Sequence, residues 1–101
     1  MPGHNSTAIL TLRLKREWWE QIRAGVKRSE LRRDGPRNRL LLAGRRYAEV
    51  HLWLGYPPRT ALDRRLRFRV TSIARITLGA HPEFGAGPTP VWEIALGERL
   101  D

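Results

Sequence analysis

Leu10, Leu12 and Leu14 alternate with Ile9, Thr11 and Arg13 in the segment "AILTLRL", a period of two that turns one face of a strand to the core and the other to water. Directly afterwards the period changes. In "KREWWEQIRAG", Trp18 and Ile22 stand four apart with Trp19 beside them, and Gly25 follows where a helix would end. This spacing predicts a helix from about Lys15 to Ala24 that packs by its tryptophans. Alternation returns in "VKRSELRR", a short strand with Arg28, Glu30 and Arg32 on one face and Lys27, Ser29 and Leu31 on the other. Next, "DGPRNRLLLAGRR" has turn formers at both ends of a small apolar patch and reads as a loop with about one helical turn.

The segment "RYAEVHLWLGYPP" alternates again. Ala48, Val50, Leu52 and Leu54 oppose Tyr47, Glu49, His51 and Trp53, until Gly55 and a proline pair stop the strand. "RLRFRVTSIARI" sets Leu66, Phe68 and Val70 between Arg65, Arg67 and Arg69, and "VWEIAL" gives a last short strand after the turn-rich "AHPEFGAGPTP". Five short strands and one early helix, without internal repeats, predict an α+β chain forming one domain over residues 1–101. The strands are expected to close, or nearly close, into a small β-barrel, because closure hides edges that a small sheet cannot otherwise protect.

Composition adds limits. A 101-residue chain that is 41% hydrophobic, with four tryptophans, builds one modest core. Without cysteine there are neither disulfides nor thiolate metal sites, which suits a reducing compartment and makes the cytoplasm the default. The apolar runs fall well short of the roughly 20 residues of a membrane span. "MPGHNSTAILTLRL" lacks the basic start and apolar middle of a signal peptide, so neither membrane insertion nor export is expected.

Charge changes the picture most. Nineteen Lys and Arg against ten acids give a net +9 and a pI near 11.5, which points to a polyanionic partner, RNA first. Lys15 and Lys27 are the only lysines; every other cation is arginine, whose planar fork fits phosphates and whose face stacks on bases. Arginine-rich codon usage gives the same excess, and a basic surface also suits acidic proteins or anionic membranes.

Against that background the lone acid in "AGVKRSELRR" is a candidate for chemistry. A lysine held by a carboxylate and shifted by burial or by neighbouring charge becomes a usable base, so Lys27 is the candidate base and Glu30, kept ionised between Arg28 and Arg32, its orienting partner. Arg32 is the natural clamp for a phosphate or carbonyl. Glu30 fits equally well as a counter-ion on an exposed strand. Trp53 and Tyr56, beside the "GYPP" turn, are the expected stacking platforms, whereas Trp18 and Trp19 follow the helix stripe into the core and Trp92 fits either role. Lys27, Arg28, Arg32 and Arg33 with Trp53 and Tyr56 make up the expected nucleic-acid contacts. His51 and His81 lack any metal-ligand spacing, and no phosphate loop, nucleophile elbow or dinucleotide fingerprint is present, so neither metal nor cofactor is expected.

Gly25, Lys27, Glu30 and Arg32 spell G-x-K-x-x-E-x-R between a first helix and a second strand. This arrangement, with the later "GYPP" and the C-terminal strand, resembles small microbial or phage members of the ASCH-domain family in the PUA-like superfamily. The resemblance covers most of the chain. It implies a β-barrel of five or six mostly antiparallel strands with one main flanking helix, a cleft where Lys27, Glu30 and Arg32 meet the barrel, and RNA or a nucleoside as ligand. Some members resemble hydrolases that act on acetylated cytidine or cleave RNA. The acetylcytidine amidohydrolases carry a threonine nucleophile where this chain has Glu30. Lys27 matches their lysine, and only Glu83 in "HPEFG" stands where their second carboxylate lies. Ser29, the nearest hydroxyl, points to the opposite face. Two functions follow as expectations: an RNA-binding module, or a small hydrolase of RNA or a modified nucleoside working through Lys27 and Glu30. A basic adaptor for another protein would need no cleft.

Overall fold

Strand β1 (Ile9–Leu14) buries Leu10, Leu12 and Leu14 and exposes the residues between them, as its alternation requires. The computed structural model of the protein describes residues 7–101, so the reading of the first six residues as no part of a signal peptide lies outside the described chain. β1 runs parallel to β3 (Glu49–Leu54), and β3 runs antiparallel to the first part of β4 (Arg65–Leu78). The second part of β4 pairs antiparallel with β5 (Thr89–Arg99), which pairs antiparallel with β2 (Ser29–Arg33). The result is an α+β chain with a five-stranded mixed sheet in the order β1-β3-β4-β5-β2 and two helices, α1 (Arg16–Arg23) and α2 (Pro36–Leu42).

The closed barrel expected from the strand count does not form. The ladder is open, with β1 and β2 as its edges. β4 changes register at Val70, between its stretch against β3 and its stretch against β5, and such irregularities bend a strand and strengthen its twist. One side chain crosses from edge to edge: Arg32 Nη2 donates to the Arg13 carbonyl at 2.9 Å. Edges can be protected by charged side chains as well as by closure.

Helix α1 packs Trp19 and Ile22 into the core, and the Trp19 indole N–H donates to the Leu52 carbonyl at 3.0 Å. Trp18, expected in the core with Trp19, is only half-buried, because the axis of α1 turns position 19 inward and leaves position 18 on the flank. The "DGPRNRLLLAGRR" segment holds a full helix, α2, and not a loop with a single turn. Pro36 opens it at a position where its missing N–H costs nothing, and Leu42 anchors its far end, 1% exposed. Among the described residues no helix is long and apolar enough to cross a membrane.

Asp34 ties β2, α2, β4 and β5 together. Its carboxylate accepts from Arg39 Nε (2.9 Å), Arg75 Nε (2.9 Å) and the Trp92 indole N–H (3.1 Å), which gives Trp92 a structural partner. The Arg39 hydrogen bond first, with Arg75 and Trp92 behind it, holds the Asp34 carboxyl below the usual aspartate range. A carboxylate lowered by folding adds stability above its unfolded pKa and loses it as pH falls through the folded value. Asp34→Asn is therefore expected to melt below wild type at pH 7, with the gap closing as pH falls below about 4. Thermal melts across that range, read by circular dichroism, check this; a gap that persists at pH 2 would remove the charge from the explanation.

Candidate ligand cleft

The first residue of the "GVKRSELR" motif shapes the backbone. Gly25 ends α1 with a left-handed φ of 79°, its N–H donating to the Ile22 carbonyl at 3.1 Å while the Val26 N–H reaches back to Gln21 at 2.9 Å. This is the Schellman closure of a helix. A Cβ at position 25 would meet nothing within 4 Å, so the glycine is needed for its backbone angle and not for space. The Lys27 N–H shares the Gln21 carbonyl at 3.1 Å, and the reversal delivers Lys27 ahead of β2.

Lys27 Nζ stands between two carboxylates, 3.5 Å from Glu30 Oε1 and 3.4 Å from Glu83 Oε1, and 5.2 Å from the centroid of the Trp18 ring. Because Lys27 precedes the strand, it is not bound by the alternation that set it opposite Glu30. Glu30 is 3% exposed, which overturns the reading of it as a counter-ion on an exposed strand. Its Oε2 accepts from Arg32 Nε at 2.9 Å, while Oε1 has no hydrogen-bond partner among the described residues. Burial pushes the Glu30 carboxyl above the usual glutamate range; Arg32 and then Lys27 pull it down, Glu83 pushes it up, and burial wins. The arginine neighbours thus do not by themselves fix its charge.

Glu83 comes from the connection between β4 and β5. That loop is pinched at its base, where a Cβ on Gly87 would lie 2.7 Å from the Gly79 carbonyl carbon, and His81 bridges to Gly85. The Glu83 N–H donates to His81 Nδ1 at 3.0 Å, so His81 shapes the turn that carries Glu83 to Lys27. Beside it the Arg33 guanidinium lies 5.1 Å from the centroid of the Phe84 ring. These pieces enclose a cleft of about 420 Å³, floored by Glu30 and walled by Trp18, Arg32, Arg33, Glu83 and Phe84, with Arg13 at its rim.

Several expected contacts lie elsewhere. Lys27, expected in the cleft with Glu30 and Arg32, does not line it: Lys27 pairs with Glu30 and Glu83 but borders, with the exposed Arg28, a separate depression beside Leu96 and Glu98. Ser29 Oγ donates to Glu93 at 3.3 Å, outside the cleft. Trp53 lines a separate pocket, and Tyr56, 86% exposed, lies beneath the Arg13 guanidinium at 4.7 Å. His51 is hydrogen-bonded to Glu49 at 3.1 Å; that bond, then Arg67, holds the Glu49 carboxyl below its usual range. Among the described residues no group of His, Asp or Glu is placed to hold a metal ion. Sequence reasoning missed Trp18 and Arg13 as cleft residues. Arg13 occupies an exposed position of its strand, which carries no sign that β2 would come alongside. Compared with family models, with curated proteins and with solved structures, the chain finds no match.

Proposed function

We propose that this is an ASCH-type, PUA-like domain of the cytoplasm that binds single-stranded or modified RNA and takes one nucleoside into the cleft of Glu30 and Arg32, with Lys27 paired to Glu30 and Glu83 from outside the cleft lining. One observation carries it: Glu30 Oε1 is buried on the floor of that cleft without a hydrogen-bond donor. The Lys27 ammonium, 3.5 Å away, balances part of its charge without donating a hydrogen bond, and a ligand N–H that reaches this oxygen supplies the missing donor. The exocyclic amine of a base is such a donor, and glutamate accepts from the amine of cytosine. Arg33 and Arg13 at the rim meet the phosphates, in keeping with the +9 charge. The curled sheet with α1 against it supports a PUA-like barrel left incomplete between β1 and β2.

The placement of Lys27 between Glu30 and Glu83 favours a second reading, a hydrolase of RNA or of an acylated nucleoside. With glutamate at position 30 the nucleophile is water: a carboxylate accepts its proton as the new bond to the acyl carbon or phosphorus forms, and returns that proton to the leaving amine or oxygen as the scissile bond breaks.

Binding of a fluorescent RNA hexamer across a salt series tests the main reading. Affinity is expected to fall steeply as salt rises, and Arg33→Ala to reduce the slope of log affinity against log salt by about 0.7–1. Undetectable binding at low salt, or binding indifferent to salt, would sink it.

A further inference from the structure

The outer face of the sheet carries a row that the cleft does not use. In register, Arg13 of β1 lies opposite Trp53 of β3, and Trp53 lies opposite Arg65 of β4. Alternation puts all three on the side away from Leu14, Leu54 and Leu66, so an indole is flanked by arginines from both neighbouring strands. With His51 and Arg59 they line a pocket of about 380 Å³ whose charged lining residues are all cationic.

Many arginines on the sheet and helices face an acid: Arg23 pairs with Glu20, Arg67 with Glu49, Arg69 with Glu98 and Arg75 with Asp34. By contrast Arg13, Arg59 and Arg65 have no carboxylate at ion-pair distance among the described residues. Arg65 Nε is also buried without an acceptor, its guanidinium carbon 5.8 Å from the centroid of the Trp53 ring. A guanidinium N–H can only donate, and no acceptor among the described residues meets this one, so an acceptor brought to it from a ligand completes its bonding, an anionic oxygen most strongly. A flat ring set among guanidinium groups that have no carboxylate partner, on a sheet face, is the arrangement that grips single strands, the base on the ring and the phosphate on the cations.

Arg13 belongs to both places, lining the cleft as well as this pocket. We infer that the outer pocket is a second nucleotide subsite, in which Trp53 stacks a base and Arg13, Arg59 and Arg65 hold its phosphate, so that one RNA strand runs from the cleft past Arg13 onto the sheet. The subsite rests on the RNA reading of the cleft and extends it: the ligand is an oligonucleotide, and a nucleoside engages the cleft alone.

The test measures labelled decauridylate by fluorescence anisotropy and cytidine by calorimetry. Trp53→Ala and Arg65→Gln are each expected to weaken decauridylate about tenfold, the loss of one stacked base or its clamp, and to leave cytidine binding as in wild type. Arg59→Ala, on an exposed turn where folding is not at risk, is expected to weaken decauridylate about threefold and lower the salt slope. Wild-type decauridylate binding by all three variants overturns the subsite and leaves the cleft reading standing. Loss of cytidine binding in Arg65→Gln also overturns it, because the pocket would then not be separate. A wild type that binds neither probe overturns both. Tripolyphosphate that displaces decauridylate at equal concentration would make this a free-phosphate pocket and overturn the nucleotide assignment.

Discussion

Trp19→Ala is expected to lower the free energy of unfolding by about 3–5 kcal/mol, the range for deleting a large aromatic from a packed core. Trp19 is 3% exposed, and its N–H satisfies a carbonyl in the middle of β3, so the substitution both opens a cavity and strips a buried acceptor of its donor. Trp18→Ala is the contrasting case. That ring is half-buried and faces Lys27, so its loss is expected to cost less stability and to weaken ligand binding. Urea denaturation of the two variants checks the assignment. Equal losses, or a larger loss for Trp18, would mean that α1 is rotated about its axis relative to the arrangement described.

Lys27→Met is expected to have the largest effect on the cleft, and its stability should depend on pH in a direction opposite to that of Asp34. Removing the ammonium leaves Glu83 without its partner and Glu30 with Arg32 alone, and breaking such a buried arrangement costs about 3 kcal/mol or more while both acids are ionised. The Glu30 carboxyl is already raised by burial and loses in this variant one of the charges that restrain the rise. A carboxyl raised by folding contributes stability that is complete below its unfolded pKa and is lost as pH climbs through the folded value. The Lys27→Met protein should accordingly melt higher at pH 5 than at pH 8, and adding Glu30→Gln should remove most of that slope while keeping the shape of the floor. A melting temperature independent of pH between these limits would show that burial does not hold the Glu30 carboxyl up in the variant. For function, Lys27→Ala and Glu30→Gln are each expected to abolish nucleoside binding, and any turnover should fall by on the order of a hundredfold or more, as for loss of a general base or its partner. Strand cleavage and deacetylation of acetylcytidine, followed separately, distinguish the readings: turnover that survives both changes acquits the pair of catalysis.

Local pattern carried much of this architecture. Leu10, Leu12 and Leu14 on β1, and Val50, Leu52 and Leu54 on β3, are buried where their alternation put them, because a strand with one wet face leaves its side chains no other choice. Gly25 marked the end of α1, since the left-handed angle there favours glycine over residues with a Cβ. α2 was harder to see. "PRNRLLL" is too short and too weakly periodic to announce a helix, and it is packing of Leu42 into the core that accompanies its turns. The five strands were each visible, but β4 with 14 residues and β5 with 11 are longer than the short strands expected, and the openness of the sheet was not visible, because no single segment encodes how one edge comes near the other.

The same division runs through the cleft. From the sequence alone come the motif that holds Lys27, Glu30 and Arg32 within a few residues, the basic charge, and the presence of one further acid, Glu83, ahead of the last strand. Only the tertiary structure decided that Glu83 reaches Lys27 across 56 positions of chain, that Arg28 turns away, and that Trp53 and Tyr56 stand outside the cleft while Trp18 and Arg13 border it. The reason is physical. Spacing fixes neighbours within one element through the geometry of helix and strand, whereas proximity between elements depends on how the whole sheet pairs and bends, and burial, which sets the state of Glu30, exists only once those elements have closed around it.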